Sequence, residues 1–274
     1  MKAQYVGDIG DFGKVLLLKH LARLGFKIGV NWEMTRDDDG PDGNHRDYVY
    51  YRGVHCLCCC DIELLAGIAP LAIMLRGQRR IGDLEDLIRT FSPGAVFYNE
   101  FFDDGGKREM RSREAFERLT GREIDLVFID PDNGLADGRP ISAKHIYLKE
   151  LESYWNRRKS LLIYHHLPQR RPAEPVIGRW AQELRKLEDS HITHFRFRRG
   201  TGRVYFLCVQ PVHMSLISRA CLEPALVFEP LLSTKADWAK RHRSKERACN
   251  ENHGEWFTPA APHPSPSPPT PGQT

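Results

Sequence analysis

Two carboxylates, a proline and an amide interrupt an apolar run near the middle of the chain. The run Val127–Ile129 leads directly into Asp130, Pro131, Asp132, Asn133 and Gly134. Carboxylate oxygens accept hydrogen bonds, an asparagine amide both donates and accepts them, and a proline stiffens a turn. We predict that a buried strand of a parallel sheet ends here and presents these groups to a ligand. The tetrad Asp130–Asn133 is called the acidic corner below.

A second polar segment, GDIGDFGK, covers Gly7–Lys14 and places glycines at positions 7, 10 and 13. The spacing is not that of a Walker A motif, no strand precedes it, and Asp8 and Asp11 would repel a pyrophosphate. A nucleotide-binding P-loop is therefore not expected. The glycines permit close backbone approach, and a helix beginning near Lys14 would offer amide donors to a ligand. A plain loop that starts a helix is the alternative. This segment is called the glycine motif below.

The segments around these residues alternate between strand-like and helix-like patterns. Strands are predicted over 27–35, 92–102, 124–134 and 160–169, with two more in a hairpin over 191–211. Helices are predicted over 14–26, 61–90 with interruptions near Pro70 and Gly77, 112–121, 144–159 and 174–189. This order predicts an α/β three-layer sandwich with a mostly parallel sheet and a C-terminal antiparallel hairpin.

Polar side chains follow three of the predicted strands, at Asn31–Glu33, at the acidic corner and at His165–His166. Ligands of open α/β sheets bind beyond the carboxyl ends of the strands. We therefore expect the acidic corner and the glycine motif to face one crevice. Tyr164 and the two histidines are candidates for an aromatic wall or a base, although for each histidine alone a structural or exposed role is expected.

The glycine motif resembles the Gly-Asn-x-Ala-Asp-x-x-Lys-His segment of the bacterial 23S rRNA adenine-N6 methyltransferase family. That family also carries an Asp-Pro-Pro-Tyr tetrad at a strand end, where this chain has the acidic corner. The closing order of strand, helix and hairpin is similar, so the likeness covers roughly residues 5–211. The resemblance implies a class I, Rossmann-like methyltransferase fold, S-adenosylmethionine as cofactor and a nucleic acid, DNA or RNA, as substrate.

The resemblance also implies roles for individual residues. Lys14 and Asp11 would hold the charged end of the cofactor, and Glu100 its ribose. The full set of implied cofactor-binding residues is Gly7, Gly10, Asp11, Lys14 and Glu100. The residues implied to bind the methyl acceptor are Asp130, Pro131, Asp132 and Asn133.

The chain departs from the family pattern at two places. No glycine-rich turn directly follows the first predicted strand, because the next glycines are Gly40 and Gly43. Asn133 stands where the family has a tyrosine that stacks on the flipped base. An asparagine cannot stack in that way, but its amide suits a different base edge, a carboxamide or a non-nucleic substrate.

Two other functions are compatible with the same residues. A metal-dependent nuclease would hold Mg²⁺ through a set of carboxylates drawn from Asp8, Asp11, Glu100, Asp130 and Asp132. No nuclease signature accompanies this set, so no resident metal is predicted. A non-catalytic α/β binding module would instead dock on nucleic acid through the basic segment 235–247.

Composition narrows the class of protein. The chain has 274 residues, of which 41% are hydrophobic, and a formal net charge of +4. The longest apolar stretch, residues 64–75, falls short of the ~20 residues that cross a bilayer. The first residues lack the apolar core of a signal peptide. We therefore expect a soluble, cytoplasmic protein with no membrane contact, and the sequence does not specify an oligomeric state.

We predict a single Rossmann-like domain over 1–232, a basic helical extension over 233–257 and a proline-rich, disordered tail over 258–274. Four of the seven cysteines lie at positions 56, 58, 59 and 60. No second Cys-x-x-Cys or histidine pair at zinc spacing accompanies them. Small thiols in a reducing compartment are the expected interpretation.

Overall fold

The computed structural model describes residues 1–40, 43, 45–49, 61–102, 107–138, 142–168, 172–197, 201–218 and 228–230. Its helices are α1 Ile9–Arg23, α2 Ile62–Ile73, α3 Ile81–Arg89, α4 Lys107–Leu119, α5 Leu148–Asn156, α6 Ala173–Leu184 and α7 Met214–Ser218. Its strands are β1 Ile28–Asn31, β2 Val96–Tyr98, β3 Leu126–Ile129, β4 Gly134–Ala136, β5 His145–Tyr147, β6 Ser160–His166, β7 His191–Phe197, β8 Arg203–Val209 and β9 Phe228–Pro230. Short 3-10 helices cover Ala3–Tyr5, Asp47–Val49, Arg76–Gln78 and Pro211–His213.

Seven of these strands form one sheet in the order β2-β1-β3-β6-β8-β7-β9, and β4 pairs with β5 separately. Strands β2, β1, β3 and β6 run parallel to one another. Strand β8 is antiparallel to both β6 and β7, and β9 is antiparallel to β7. The predicted α/β fold, with a mostly parallel sheet and a closing antiparallel hairpin, is confirmed. The hairpin turn, residues 198–200, lies outside the described residues.

Helices cover both faces of the sheet, and the strand sequence explains why. Every residue of β3 is buried, so its four apolar side chains have to be divided between two cores. Leu126 and Phe128 pack into the core shared with α1, α2 and α3. Val127 and Ile129 pack into the core shared with α4, α5 and α6. Each such side chain contributes about 1.5–3 kcal/mol when fully buried, which fixes the register of the central strands.

Several predicted elements differ from the observed ones, and α4, for example, begins at Lys107 rather than at the predicted residue 112. Helix α1 begins at Ile9, five residues before the predicted start at Lys14, because the side chain of Asp8 caps it. Pro70 lies inside α2 rather than between two helices. The predicted helix 144–159 begins with strand β5, which pairs with β4, and α5 starts only at Leu148. The interruption near Gly77 is present as a 3-10 helix.

Several sequence predictions fall outside the described residues. These are the cysteines at 56, 58, 59 and 60, the basic helical extension 233–257 and the proline-rich tail 258–274. Among the residues that are described, no helix combines the length and the apolar character needed to cross a membrane.

Candidate functional site

A crevice of about 240 Å³ opens at the carboxyl edge of the sheet, where the acidic corner meets the start of α1. Its walls come from the N-terminal segment, the end of β3, the end of β6 and the start of β8. The lining residues are Met1, Tyr5, Asp8, Gly10, Asp11, Lys14, Gly43, His45, Asp130, Pro131, Asp132, Asn133, Tyr164, His166, Thr201 and Arg203. The expected convergence of the glycine motif and the acidic corner is therefore confirmed.

Lys14 joins these two segments through a buried ion pair. Its Nζ lies 2.7 Å from Asp130 Oδ2 and 3.0 Å from Asp11 Oδ1, and all three side chains are buried. Burial alone would lower the pKa of the lysine, but the two carboxylates raise it above its ordinary value. Burial raises the pKa of Asp11 to about 6, against the opposing effect of Lys14. The charge of Lys14 is thus neutralised by carboxylates inside the protein, and the ion pair fixes α1 to the end of β3.

The aspartates of the glycine motif hold its backbone. Asp8 Oδ1 accepts a hydrogen bond from Gly10 N at 2.9 Å, and Asp8 Oδ2 accepts one from His45 N at 3.1 Å. Asp11 Oδ2 accepts a hydrogen bond from Gly7 N at 3.0 Å. The Asp8–Gly10 contact satisfies an amide donor at the start of α1 that has no partner within the helix, and the other two contacts hold the backbone at Gly7 and His45. Both carboxylates are therefore structural as well as lining the crevice.

Gly7, which was predicted to bind the cofactor, is not among the residues that line the crevice. Its φ of +82° favours glycine, and a Cβ there would lie 2.6 Å from backbone atoms of Leu71 and Ala72. The carbonyl oxygen of Gly7 accepts a hydrogen bond from the Tyr48 hydroxyl at 3.0 Å. Gly7 therefore serves the packing of the N-terminal segment against α2.

Gly10 and Gly13 have a role that sequence reasoning missed. They lie three residues apart on one side of α1, and both face the β7–β8 hairpin. A Cβ at Gly10 would lie 1.6 Å from Arg203 Nη1, and one at Gly13 would lie 2.9 Å from the Phe197 ring. The two glycines make room for these side chains, so the glycine pattern reflects helix–sheet packing and the placement of Arg203.

Backbone hydrogen bonds to neighbouring segments fix the acidic corner. Asp130 N donates to Asn31 O at 2.9 Å, and Asn133 N donates to Lys144 O at 2.8 Å. Asn133 O in turn accepts a hydrogen bond from His166 N at 3.2 Å. Asp130 and Pro131 are buried, Asp132 is half-buried and Asn133 is exposed. All four residues line the crevice, and Asp132 and Asn133 are the more accessible half of the corner.

Gly134 follows the acidic corner, and the position of His165 leaves no room for a side chain there. Its φ is +104°, and a Cβ at this position would lie 2.4 Å from His165 Nδ1. That nitrogen accepts a hydrogen bond from Leu135 N at 3.0 Å, and the imidazole packs against Trp180. Burial lowers the pKa of His165 to about 4, so the ring is neutral at physiological pH. His165 is a structural residue that ties β4 to β6.

Alternation along β6 sends its polar residues to different faces. Tyr164 and His166 line the crevice, whereas His165 points to the opposite side of the sheet. The Tyr164 hydroxyl lies 3.3 Å from His166 Nδ1. The predicted aromatic wall is therefore placed at the crevice by Tyr164 and His166, without His165.

Glu100 is not brought to the crevice. Its side chain is exposed after the end of β2, and its nearest described cation is Arg111 Nη1 at 4.0 Å. The residues predicted to bind a cofactor are thus divided, because Gly10, Asp11 and Lys14 line the crevice and Glu100 does not.

Glu33, at the end of β1, is a buried carboxylate whose chemistry sequence reasoning missed. It is 1% exposed, has a φ of +41°, and its two carboxylate oxygens have no hydrogen-bond partner among the described residues. Burial raises the pKa of Glu33 to about 8, although Arg108 acts in the opposite direction. Strained backbone and unsatisfied buried oxygens mark this strand end as unusual. The polar run Asn31–Glu33 in an apolar strand was the sequence signal.

The carboxylates of the crevice do not fit a divalent metal ion well. The Lys14 ammonium lies between Asp11 and Asp130, and the Asp8 oxygens accept backbone hydrogen bonds. Glu100 lies elsewhere. Within the described part of the chain, no group of three histidine, cysteine, aspartate or glutamate side chains is arranged to hold a metal.

Comparison with known proteins adds no family assignment. No protein-family model matches this chain, and no curated protein matches it. The residues of the crevice therefore carry the functional interpretation by themselves.

Proposed function

We propose that the protein is an S-adenosylmethionine-dependent methyltransferase that acts on nucleic acid. The observation that carries this proposal is the shared crevice, in which Lys14 and Asp130 are paired at 2.7 Å and join the glycine motif to the acidic corner. The resemblance to the adenine-N6 methyltransferases rests on these same two segments. Their convergence at the carboxyl edge of a mostly parallel sheet supports it.

Asp132 and Asn133 are the residues best placed to bind the methyl acceptor. Both line the crevice, and neither side chain makes a hydrogen bond to another described residue. Asp130 is less suitable, because its Oδ2 already accepts a hydrogen bond from Lys14. A carboxylate and an amide can accept the N–H groups of an exocyclic amine and donate to a neighbouring ring nitrogen. We therefore assign acceptor binding to Asp132 and Asn133, and a positioning role to Asp130.

The charge of the crevice supports a cationic methyl donor. Its lining contains the four carboxylates of Asp8, Asp11, Asp130 and Asp132, against Lys14, Arg203 and the α-amino group of Met1. An excess of negative charge in a partly desolvated site attracts a sulfonium. S-adenosylmethionine would supply the methyl group from that sulfonium. The protein's own contribution would be to align the acceptor, since methyl transfer needs little acid–base assistance.

The size of the crevice suits the reacting groups. A volume of 240 Å³ corresponds to about eight water molecules, and hence to a ligand portion of roughly eight to ten non-hydrogen atoms. A nucleobase is of this size. Tyr164 and His166 supply the flat side chains against which such a ring can pack. The remainder of the cofactor and of the nucleic acid would extend beyond the crevice.

Transfer of a labelled methyl group from S-adenosylmethionine to mixed cellular RNA and DNA tests this proposal. We expect label in one of the two nucleic acids with the wild-type protein. Asp132→Asn should remove the label while retaining the thermal unfolding profile. Absence of transfer, together with divalent-dependent cleavage of either nucleic acid, would favour the nuclease. Binding of nucleic acid without transfer or cleavage would favour the non-catalytic module.

A further inference from the structure

Arg203 is a buried cation with a hydrogen-bond donor that has no partner among the described residues. It opens strand β8, is 6% exposed and lines the crevice. Its Nη2 donates to Thr201 Oγ1 at 2.6 Å. Its Nε is buried without a hydrogen-bond partner among the described residues. A buried guanidinium normally has most of its five donors satisfied, so the unsatisfied Nε needs an explanation.

The surroundings of Arg203 hold the guanidinium in place. It lies between the backbone of Gly10 and the ring of Phe197, whose centroid is 5.7 Å from Cζ. Arg203 is also directly opposite His166 in the β6–β8 register. A side chain confined in this way loses little further entropy on binding a ligand. Arg203 is therefore preorganised at the wall of the crevice.

Neither Asp8 nor Asp11, the carboxylates of the neighbouring glycine motif, accepts a hydrogen bond from Arg203. Asp8 Oδ1 is 3.9 Å from Arg203 Nη2, which is too long for a hydrogen bond. Asp8 is occupied by the backbone amides of Gly10 and His45, and Asp11 by Lys14 and the amide of Gly7. Lys14 is itself neutralised by two carboxylates. Of the lysine and arginine side chains that line the described part of the crevice, Lys14 is paired with carboxylates and Arg203 has an unsatisfied donor at Nε.

We propose that Arg203, with the Thr201 hydroxyl, binds a backbone phosphate of the nucleic-acid substrate at the β8 side of the crevice. This inference rests on the proposed function, because it names the group by which that substrate is anchored. A planar guanidinium matches phosphate oxygens in a bidentate geometry, and a threonine hydroxyl can donate to the same group. The four carboxylates of the crevice repel phosphate, so the anchor lies at the Arg203 wall and the base lies towards the more exposed Asp132 and Asn133.

Binding of a short, random-sequence single-stranded RNA, and of the corresponding DNA, over a series of salt concentrations tests the anchor. Arg203→Met should weaken binding about tenfold, as expected for the loss of a charge-assisted contact. The slope of log K against log salt should fall in magnitude by about 0.7, the value for one phosphate contact on a single strand. The nucleic acid that shows the larger effect identifies the substrate type.

Two further variants keep the test decisive if Arg203→Met does not fold. Arg203→Lys retains the charge but loses the planar, bidentate geometry of the guanidinium. The affinity should therefore fall, while the slope of log K against log salt is retained. Thr201→Val should weaken binding several-fold without changing the slope. Arg196→Met, on the same hairpin and bonded to Glu174, is the matched control and should bind as wild type.

The outcomes separate this inference from the proposed function. If the Arg203 and Thr201 variants bind nucleic acid with wild-type affinity and slope, or if the wild-type protein binds neither nucleic acid, the phosphate anchor is wrong. If the slope changes as expected but S-adenosylmethionine gives no binding heat with any variant, the anchor stands and the methyltransferase assignment fails.

Discussion

Lys14 Nζ and Asp130 Oδ2 lie 2.7 Å apart, although the two residues are separated by 116 positions in the chain. The contact is buried and involves Asp11 as a third member. It connects the first turns of α1 to the end of β3, which form two of the walls of the crevice. The shape of the crevice therefore depends on this ion pair, whichever ligand binds there.

Removing the carboxylate of Asp130 should destabilise the protein. Asp130→Asn leaves the buried lysine with Asp11 alone, and breaking a buried pair costs about 3–5 kcal/mol. Urea unfolding would measure the loss. The double variant Lys14→Met/Asp130→Leu should be less destabilised than the sum of the single variants, because it leaves neither Lys14 nor Asp130 buried without the other. Asp11 loses Lys14 in the single Lys14→Met variant as well, so that cost is common to both. A change in unfolding free energy below about 0.5 kcal/mol for Asp130→Asn, the scale of ordinary surface substitutions, would show that the pair is not structural.

Gly134 should not tolerate a side chain. Gly134→Ala combines a positive φ with a Cβ that would meet His165, so we expect a loss of about 2 kcal/mol or more in unfolding free energy. Gly178→Ala is the matched control, because Gly178 is exposed inside α6 and a Cβ there meets nothing within 4 Å. That control should gain about 0.5–1 kcal/mol from helix propensity. Equal effects at the two positions would contradict the assigned geometry.

Glu33 should make the protein less stable as pH rises. Its pKa is raised from 4.5 in the unfolded chain to about 8 in the folded protein. Between these two pH values the folded protein keeps a proton on Glu33 that the unfolded chain has lost. The contribution of Glu33 to the unfolding free energy is therefore fully present below about pH 4.5 and is lost as pH rises through about 8. Glu33→Gln should match the wild-type melting temperature near pH 5 and exceed it near pH 9. Because the two proteins share every histidine, the difference between them isolates Glu33.

Glu152→Gln, on the exposed side of α5, is the control for that comparison. It should follow the wild-type pH profile throughout. A Glu33→Gln protein whose melting temperature stays parallel to wild type across the same range would refute the raised pKa.

The two predicted acidic ligands, Asp132 and Glu100, should respond differently to neutralisation. Asp132→Asn removes a carboxylate that lines the crevice, and we expect methyl transfer to fall about a hundredfold, within the range for loss of a positioned polar group. Glu100→Gln changes an exposed side chain outside the crevice and should retain wild-type transfer. Steady-state transfer rates would check both. Loss of activity in Glu100→Gln alone would move the cofactor site to the end of β2.

The sequence was sufficient to predict the layered fold, because buried strands and amphipathic helices differ in their apolar period. It also located the crevice, since the ends of parallel strands share one edge of the sheet. It did not reveal Arg203, which opens the apolar run Arg203–Val209 and resembles an ordinary strand-start residue. The packing of Gly10 and Gly13 against the hairpin is a contact between segments about 190 positions apart, and no local pattern encodes it.

The distance of Glu100 from the crevice could not be predicted, for a related reason. An acidic residue after a strand is expected at the ligand edge, but the direction of its side chain depends on tertiary packing around β2. Strand β5 was also missed, because its residues continue directly into the helical pattern of α5 and its partner β4 is only three residues long. Short edge pairs of this kind leave little periodic signal.

Calorimetric titration of the whole chain with S-adenosylmethionine tests the central claim most directly. We predict saturable heat corresponding to one cofactor per chain, retained in Glu100→Gln and altered in Lys14→Met. No detectable heat at millimolar cofactor with a folded wild-type protein would contradict the proposed methyltransferase.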